Sequence, residues 1–249
     1  MKVACTGGAP RNISQTYLEQ AMMRAWRNNF YAIFQVSNTV FFAHFRTQED
    51  MVSVYTRQPW AMGTDNLLLD WFDPSFDPDS SDDYKFEHIF VTIRAYGIPR
   101  NRRSLGLLAD ILNQVGTVSE FHIMQENNLF ARHDYIWGTV KLKVINPVKD
   151  RVIVGYSDNT TGLVYLHYEK IGRICLFCGV MFHNAENCSI RNNLIAERSK
   201  SKQEQLHIPT QRFGQWIIDE SYVPTKVIQS TRIAHQGSNQ SGSAILSRL

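Results

Sequence analysis

Three of the four cysteines fall in one short segment, Cys175-Leu-Phe-Cys178-Gly-Val-Met-Phe-His183-Asn-Ala-Glu-Asn-Cys188, a C-x2-C-x4-H-x4-C array. Fourteen residues cannot enclose an apolar core, whereas four soft or borderline ligands can organise them around a tetrahedral Zn²⁺. Thiolates separated by two residues form a tight turn that grips one metal, and Gly179 permits the dihedrals such a turn demands. Metal binding of this type contributes about 10–16 kcal/mol of apparent free energy at neutral pH, enough to fold so small a segment. The expected cofactor is therefore one zinc ion on Cys175, Cys178, His183 and Cys188, and loss of one ligand should unfold the segment. Cys5 lies far away and reads as a small hydrophobe.

Three thiolates and a neutral imidazole leave a zinc site at about −1, so attraction for phosphate must come from its flanks. Lys170, Arg173 and Arg191 bracket it. Phe177, Met181 and Phe182 lie on the turn, where an aromatic face stacks on an unpaired base for about 1–3 kcal/mol. The same residues could instead form the segment's own small core. A second surface comes from alternation: opposite the aliphatic row Ile89, Val91, Ile93 and Ala95 stand Phe90, Arg94 and Tyr96. Trp137, Lys141 and Lys143 on a later strand, and Tyr165 and His167 on a third, would extend that face, with Arg100, Arg102 and Arg103 at its edge. RNA-binding sheets use such aromatic and basic faces, although these side chains could equally pack on a neighbouring unit.

The elements that must position these groups read as α+β. Ser14 or Thr16 caps a helix running to about Asn29, with Leu18, Ala21, Met22, Ala25 and Trp26 at three- and four-residue intervals. Phe30 to Val36 and Thr39 to Arg46 form a hairpin around Ser37-Asn38, Thr47 caps a short helix ending near Pro59, and Leu67 to Trp71 is a strand. With Lys2 to Cys5 extended, residues 1–72 run βαββαβ, a ferredoxin-like (RRM-like) plait. Residues 73–87, rich in Asp and Pro, read as an acidic, solvated linker; a metal site among the carboxylates is the weaker alternative.

A second α+β unit spans 88–168, with strands at His88 to Tyr96, Thr117 to Met124, Ile136 to Ile145, Arg151 to Tyr156 and Leu163 to Tyr168. A helix from Arg103 to Val115 buries Leu105, Leu108, Ile111 and Leu112. The knuckle occupies 169–190. Residues 191–249 are a basic stretch followed by a Gly/Ser/Asn/Gln-rich, disordered end.

Composition sets the limits. The 249 residues carry 26 Lys+Arg against 23 Asp+Glu, a formal charge of +3, so no global cationic field marks a nucleic-acid binder and any such activity must be local. No apolar run of about 20 residues and no secretory signal is visible, which points to an intracellular chain without membrane partners. Phosphate-loop, H-E-x-x-H and G-x-S-x-G signatures are absent, and a zinc with four protein ligands keeps no position open for water, so an enzyme is not expected. His44, His122 and His133 are scattered and read as surface or core residues.

The array resembles the CCHC zinc knuckle of retroviral and retrotransposon Gag-like proteins. The longer context resembles a plant retrotransposon-derived family in which an RRM-like domain of unknown function precedes the knuckle. The signposts are Phe41-Phe-Ala-His-Phe-Arg46 before Glu49-Asp50, Pro59-Trp60, Asp70-Trp-Phe-Asp-Pro-Ser-Phe-Asp-Pro78, Gly97-Ile-Pro99, the knuckle and Arg212-Phe-Gly-Gln-Trp216, covering about residues 1–217. Phe182 departs from the pattern, since such knuckles carry glycine just before the histidine. The resemblance implies zinc and nucleic-acid binding, with single-stranded RNA favoured over DNA as the partner. The alternative is an interaction protein without a nucleic-acid role, the knuckle and the aromatic face contacting another protein or another copy of the chain, as a Gag-like assembly would.

Overall fold

A computed structural model of the chain describes residues 1–4, 12–27, 29–73, 75, 84–130, 134–200, 208–209 and 211–224. Cys5, His133, residues 74 and 76–83 of the acidic linker expected over 73–87, and the Gly/Ser-rich end lie outside them. The architecture is mixed α+β with antiparallel pairing, in two compact units. The first draws on Met1–Val91, Lys141–Val148 and Lys170–Phe213, and the second on Thr92–Val140, Lys149–Glu169 and the chain from Gly214.

In the first unit, β1 (Lys2–Ala4) buries Val3. Ser14 caps α1 (Gln15–Trp26) by accepting from the Tyr17 N–H, and helical spacing places Leu18, Met22 and Trp26 in the core. The helix stops before Asn29 because Arg27 turns left-handed at φ 52°. β2 (Phe30–Gln35) and β3 (Phe41–Phe45) form the expected hairpin, and Thr47 caps α2 (Gln48–Thr56) through the Asp50 N–H. Instead of one strand over Leu67 to Trp71, the chain makes a second hairpin of β4 (Trp60–Met62) and β5 (Asp65–Leu68). Gly63, at φ 64°, supplies the left-handed step that a two-residue turn needs. The strand order is β1-β5-β4 in one sheet and β2-β3 in another, and a single antiparallel bridge, Lys2↔Val40, links β1 to the chain entering β3.

The second unit is built on a five-stranded sheet. β6 (His88–Tyr96) is followed by α3 (Leu105–Val115), β7 (Thr117–Val118), α4 (Asn127–Phe130), β8 (Tyr135–Lys143), β9 (Arg151–Gly155) and β10 (Thr161–Tyr168), in the order β7-β8-β6-β10-β9. The start of β6 and the end of β8 belong to the first unit. Ser104 caps α3 through the Leu107 N–H, and the helix buries Leu107, Leu108, Ile111 and Leu112. Leu105, expected inside, is exposed because it is the first helical residue after the cap and points away from that stripe. A Cβ on Gly138 would meet the Leu112 side chain at 2.4 Å, so the helix seats on β8 through a glycine. The strand expected over Thr117 to Met124 ends at Val118: the Ser119 hydroxyl meets His122 Nδ1 at 2.8 Å and the Ser119 carbonyl accepts the His122 N–H, bending the chain away.

The chain entering the Cys-rich segment is tied down within the first unit by a side chain the sequence did not single out. Asn66 on β5 is fully buried; its Nδ2 donates to the Lys170 carbonyl at 2.9 Å and its Oδ1 accepts the Gly172 N–H at 2.7 Å. A Cβ on Gly172 would lie 2.3 Å from the Thr64 carbonyl oxygen, so the close approach requires glycine. Asn66→Ala leaves the Lys170 carbonyl and the Gly172 amide, both in partly buried hydrogen bonds, without their partner at once. Its expected cost is about 2–4 kcal/mol, read as a lowered midpoint in urea unfolding.

Candidate metal centre

After Lys170, whose backbone is left-handed at φ 58°, the chain folds into a minimal hairpin. Ile174 and Met181 form an isolated antiparallel bridge, the Phe182 N–H donates to the Arg173 carbonyl at 2.9 Å, and the Cys175 N–H donates to the Val180 carbonyl at 2.9 Å. The turn closes through the Gly179 N–H on the Cys175 carbonyl at 2.7 Å, with Gly179 at φ 78°. His183 follows the hairpin. Cys188 precedes α5 (Ser189–Lys200), and its carbonyl accepts the Asn192 N–H at 2.9 Å. The fourth sulfur is thus fixed at a helix N-terminus, where the macrodipole favours negative charge.

This path brings together the four residues that the spacing singled out. One ligand atom from each of Cys175, Cys178, His183 and Cys188 lies within 4.8 Å of all the others. A tetrahedral zinc with bonds of about 2.3 Å to sulfur and 2.0 Å to nitrogen needs ligand separations of roughly 3.5–3.8 Å, inside that envelope. Cys175 and Cys188 are fully buried. His183 Nδ1 faces the Met181 carbonyl at 3.2 Å, so the proton belongs there, and Nε2, 3.2 Å from Cys178 Sγ, offers its lone pair to the cluster. Burial, and then the neighbouring sulfurs of Cys175 and Cys188, push the Cys178 thiol up to about 12, while the Val180 N–H on its sulfur opposes them. Three sulfurs crowded in so little space need a cation to become thiolates together. The cluster fits one metal ion.

The centre is clasped rather than free. Phe177 is fully buried, with Cys178, Ala185, Leu194 and Ile208 around its small core. The Arg212 guanidinium lies over its ring at 4.0 Å, and the Arg212 and Phe213 N–H groups both donate to the Leu176 carbonyl, at 2.7 and 2.9 Å. The Val148 N–H donates to the Gly179 carbonyl at 2.9 Å. Phe177 therefore takes the small-core role, and Met181 is buried as well. Phe182 is half-buried beside Arg173, at φ 68°, a left-handed conformation that glycine adopts without strain. Lys170 is exposed, and Arg173 and Arg191 are half-buried.

The other candidate contacts divide. Lys141 and Lys143 sit close enough to His88 that, after burial, their charges hold its pKa below the usual imidazole range, against Glu87 and Asp70. Phe90, in contrast, is 3% exposed and packs edge-on against Tyr55 at 5.5 Å. Arg94 is engaged by Glu169 and Glu220, and Tyr96 is buried with its hydroxyl on Glu220 at 2.6 Å. Trp137 is half-buried. The Asn66 tether, Gly172 and the Arg212-Phe213 clasp were not found from the sequence, because each acts through a partner distant in the chain.

Comparison with protein-family models, with curated proteins and with solved structures finds no match to any. Among the described residues, no helix is long and apolar enough to cross a membrane.

Elemental mass spectrometry of the purified chain should read one bound metal ion, falling to none in Cys178→Ser. Acidification should release the ion, because protons compete for the sulfur ligands. Gly179→Ala forces a left-handed Cβ to within 2.5 Å of the Phe213 ring, and should cost about 1–3 kcal/mol in thermal or urea unfolding.

Proposed function

We propose that this protein is a non-enzymatic, zinc-dependent binder of single-stranded nucleic acid, RNA in preference to DNA, in the manner of a Gag-like retrotransposon protein. The observation that carries the reading is the pairing of Arg173 with Phe182 across the hairpin that holds the four ligands. A residue that carries a cation and a partly exposed aromatic residue thus occupy facing backbone positions of the hairpin. Phe182 keeps a left-handed backbone at which glycine would be unstrained, and strain of this kind, about 1–3 kcal/mol, tends to be retained where a side chain has a task. Stacking on an unpaired base is such a task. Zinc is the metal best suited to a buried Cys3His set with tetrahedral spacing.

Lys170, Arg173 and Arg191 supply charge around the knuckle. Lys141 and Lys143 add to it in the same unit, on the segment that Val148 ties to Gly179. The first unit is read as an RRM-like plait. Support comes from β5 beside β1, the Lys2↔Val40 bridge toward β3, and β3 beside β2, with β4 an added edge strand. Phe90, buried under Tyr55, is left out of the binding surface.

A second reading, self-association, draws on the β2–β3 hairpin. Phe34 and Phe72 are each about half exposed around a groove of about 520 Å³, where Phe72 meets Phe42 edge-on at 5.1 Å.

With about four phosphates contacted, each contributing a slope near −0.7, single-strand affinity should fall roughly fifty-fold between about 50 and 200 mM salt. Fluorescence anisotropy with a labelled oligouridine checks this, and Cys178→Ser or chelation should abolish the binding. No binding at low salt, together with concentration-dependent sedimentation, would favour self-association instead.

A further inference from the structure

Residues 214–223 lie over an aromatic surface of the second unit that a single strand could use. In the second unit, β10 pairs with β6 so that Tyr165 faces Tyr96 and His167 faces Arg94, which puts all four side chains on one face of the sheet. Tyr135 joins them, its ring 4.8 Å from the Arg94 guanidinium. The segment from Gly214 crosses this face. Trp216 meets Tyr165 edge-on at 5.0 Å, takes the Arg151 guanidinium at 5.3 Å, and offers its carbonyl to His167 Nδ1 at 3.0 Å. Ile217 is fully buried behind it, and Glu220 accepts from both Arg94 and the Tyr96 hydroxyl.

An aromatic ring against tyrosine and an anion on an arginine are the two contacts a nucleotide makes, base stacking and phosphate binding. We propose that residues 214–223 mimic a single strand in cis, masking the Arg94–Tyr96–Tyr165 face, and that nucleic acid reaches this face by displacing them. The inference rests on the nucleic-acid reading above and adds to it a second, regulated surface.

The hold is of a kind that can be exchanged. Residues 214–223 join none of the sheets, so side-chain contacts and a few hydrogen bonds to Asp150 retain them. The Glu220 side chain is 50% exposed, open to competition from solvent and phosphate. Arg94 keeps Glu169 in either state, so Glu220 is the anion whose departure frees a guanidinium edge and the Tyr96 hydroxyl.

The test uses the full chain, a labelled oligouridine at low salt and two charge-matched variants. Glu220→Gln weakens the mask and should tighten binding about ten-fold, steepening the log–log salt slope by about 0.7 for one added phosphate contact. Glu126→Gln, an exposed residue of the same unit away from the strap, should change affinity less than about two-fold. Independently of any variant, oligouridine should speed amide exchange over residues 215–222 of the wild-type chain. The mask is overturned if wild type binds but Glu220→Gln binds equally, if Glu126→Gln gives the same gain, or if exchange in the strap is unmoved by bound oligouridine. Binding by Glu220→Gln alone supports both the mask and the nucleic-acid reading, and binding by neither protein overturns both.

Discussion

Four ligand atoms drawn to within 4.8 Å of one another, three of them sulfur and two of those fully buried, are an arrangement that needs a positive charge at its centre. Without one, burial and the neighbouring sulfurs hold the Cys178 proton on until about pH 12. With one, thiolates, imidazole and ion satisfy each other and replace the apolar core that so short a segment cannot build. The hairpin, the left-handed Gly179 and Phe182, and the start of α5 on Cys188 are all consequences of bringing those atoms to one point.

The centre is also part of the body that carries it. Asn66 holds the entering strand, Val148 holds the turn at Gly179, and Arg212 and Phe213 close over Leu176 and Phe177. A knuckle on a free tether would move independently of its domain. Here the hydrogen bonds couple the metal site to the fold of the first unit, so disturbing one loosens the other. The same clasp turns Phe177, an obvious stacking candidate by type, into core, and leaves Phe182 as the accessible aromatic of the hairpin.

Arginine and tyrosine on a sheet face make a surface whose character depends on what lies over it. Glu169 and Glu220 engage the Arg94 guanidinium, and the Trp216 indole lies edge-on against Tyr165. The charge of Arg94 is thereby met by carboxylates within the unit. At His88 burial, and then the charges of Lys141 and Lys143, lower the histidine's proton affinity against Glu87 and Asp70. The overall +3 of the chain does not reveal either grouping.

The sequence by itself determined the ligand set, because C-x2-C-x4-H-x4-C is a local pattern whose chemistry is complete within fourteen residues. It also determined the elements whose signals are local: the caps at Ser14 and Thr47, the β2–β3 hairpin, and β6 from His88 to Tyr96. Element ends moved where a single dihedral or hydroxyl intervened, at Arg27, Gly63 and Ser119, since periodicity does not register one-residue events. Tertiary structure alone decided what lies across each face: Tyr55 over Phe90, Glu220 on Arg94, Arg212 over Phe177, and Asn66 at the entrance to the metal site. The reason is physical. Alternation tells which side chains share a face, but burial depends on segments tens to more than a hundred residues away, and no local pattern encodes their arrival.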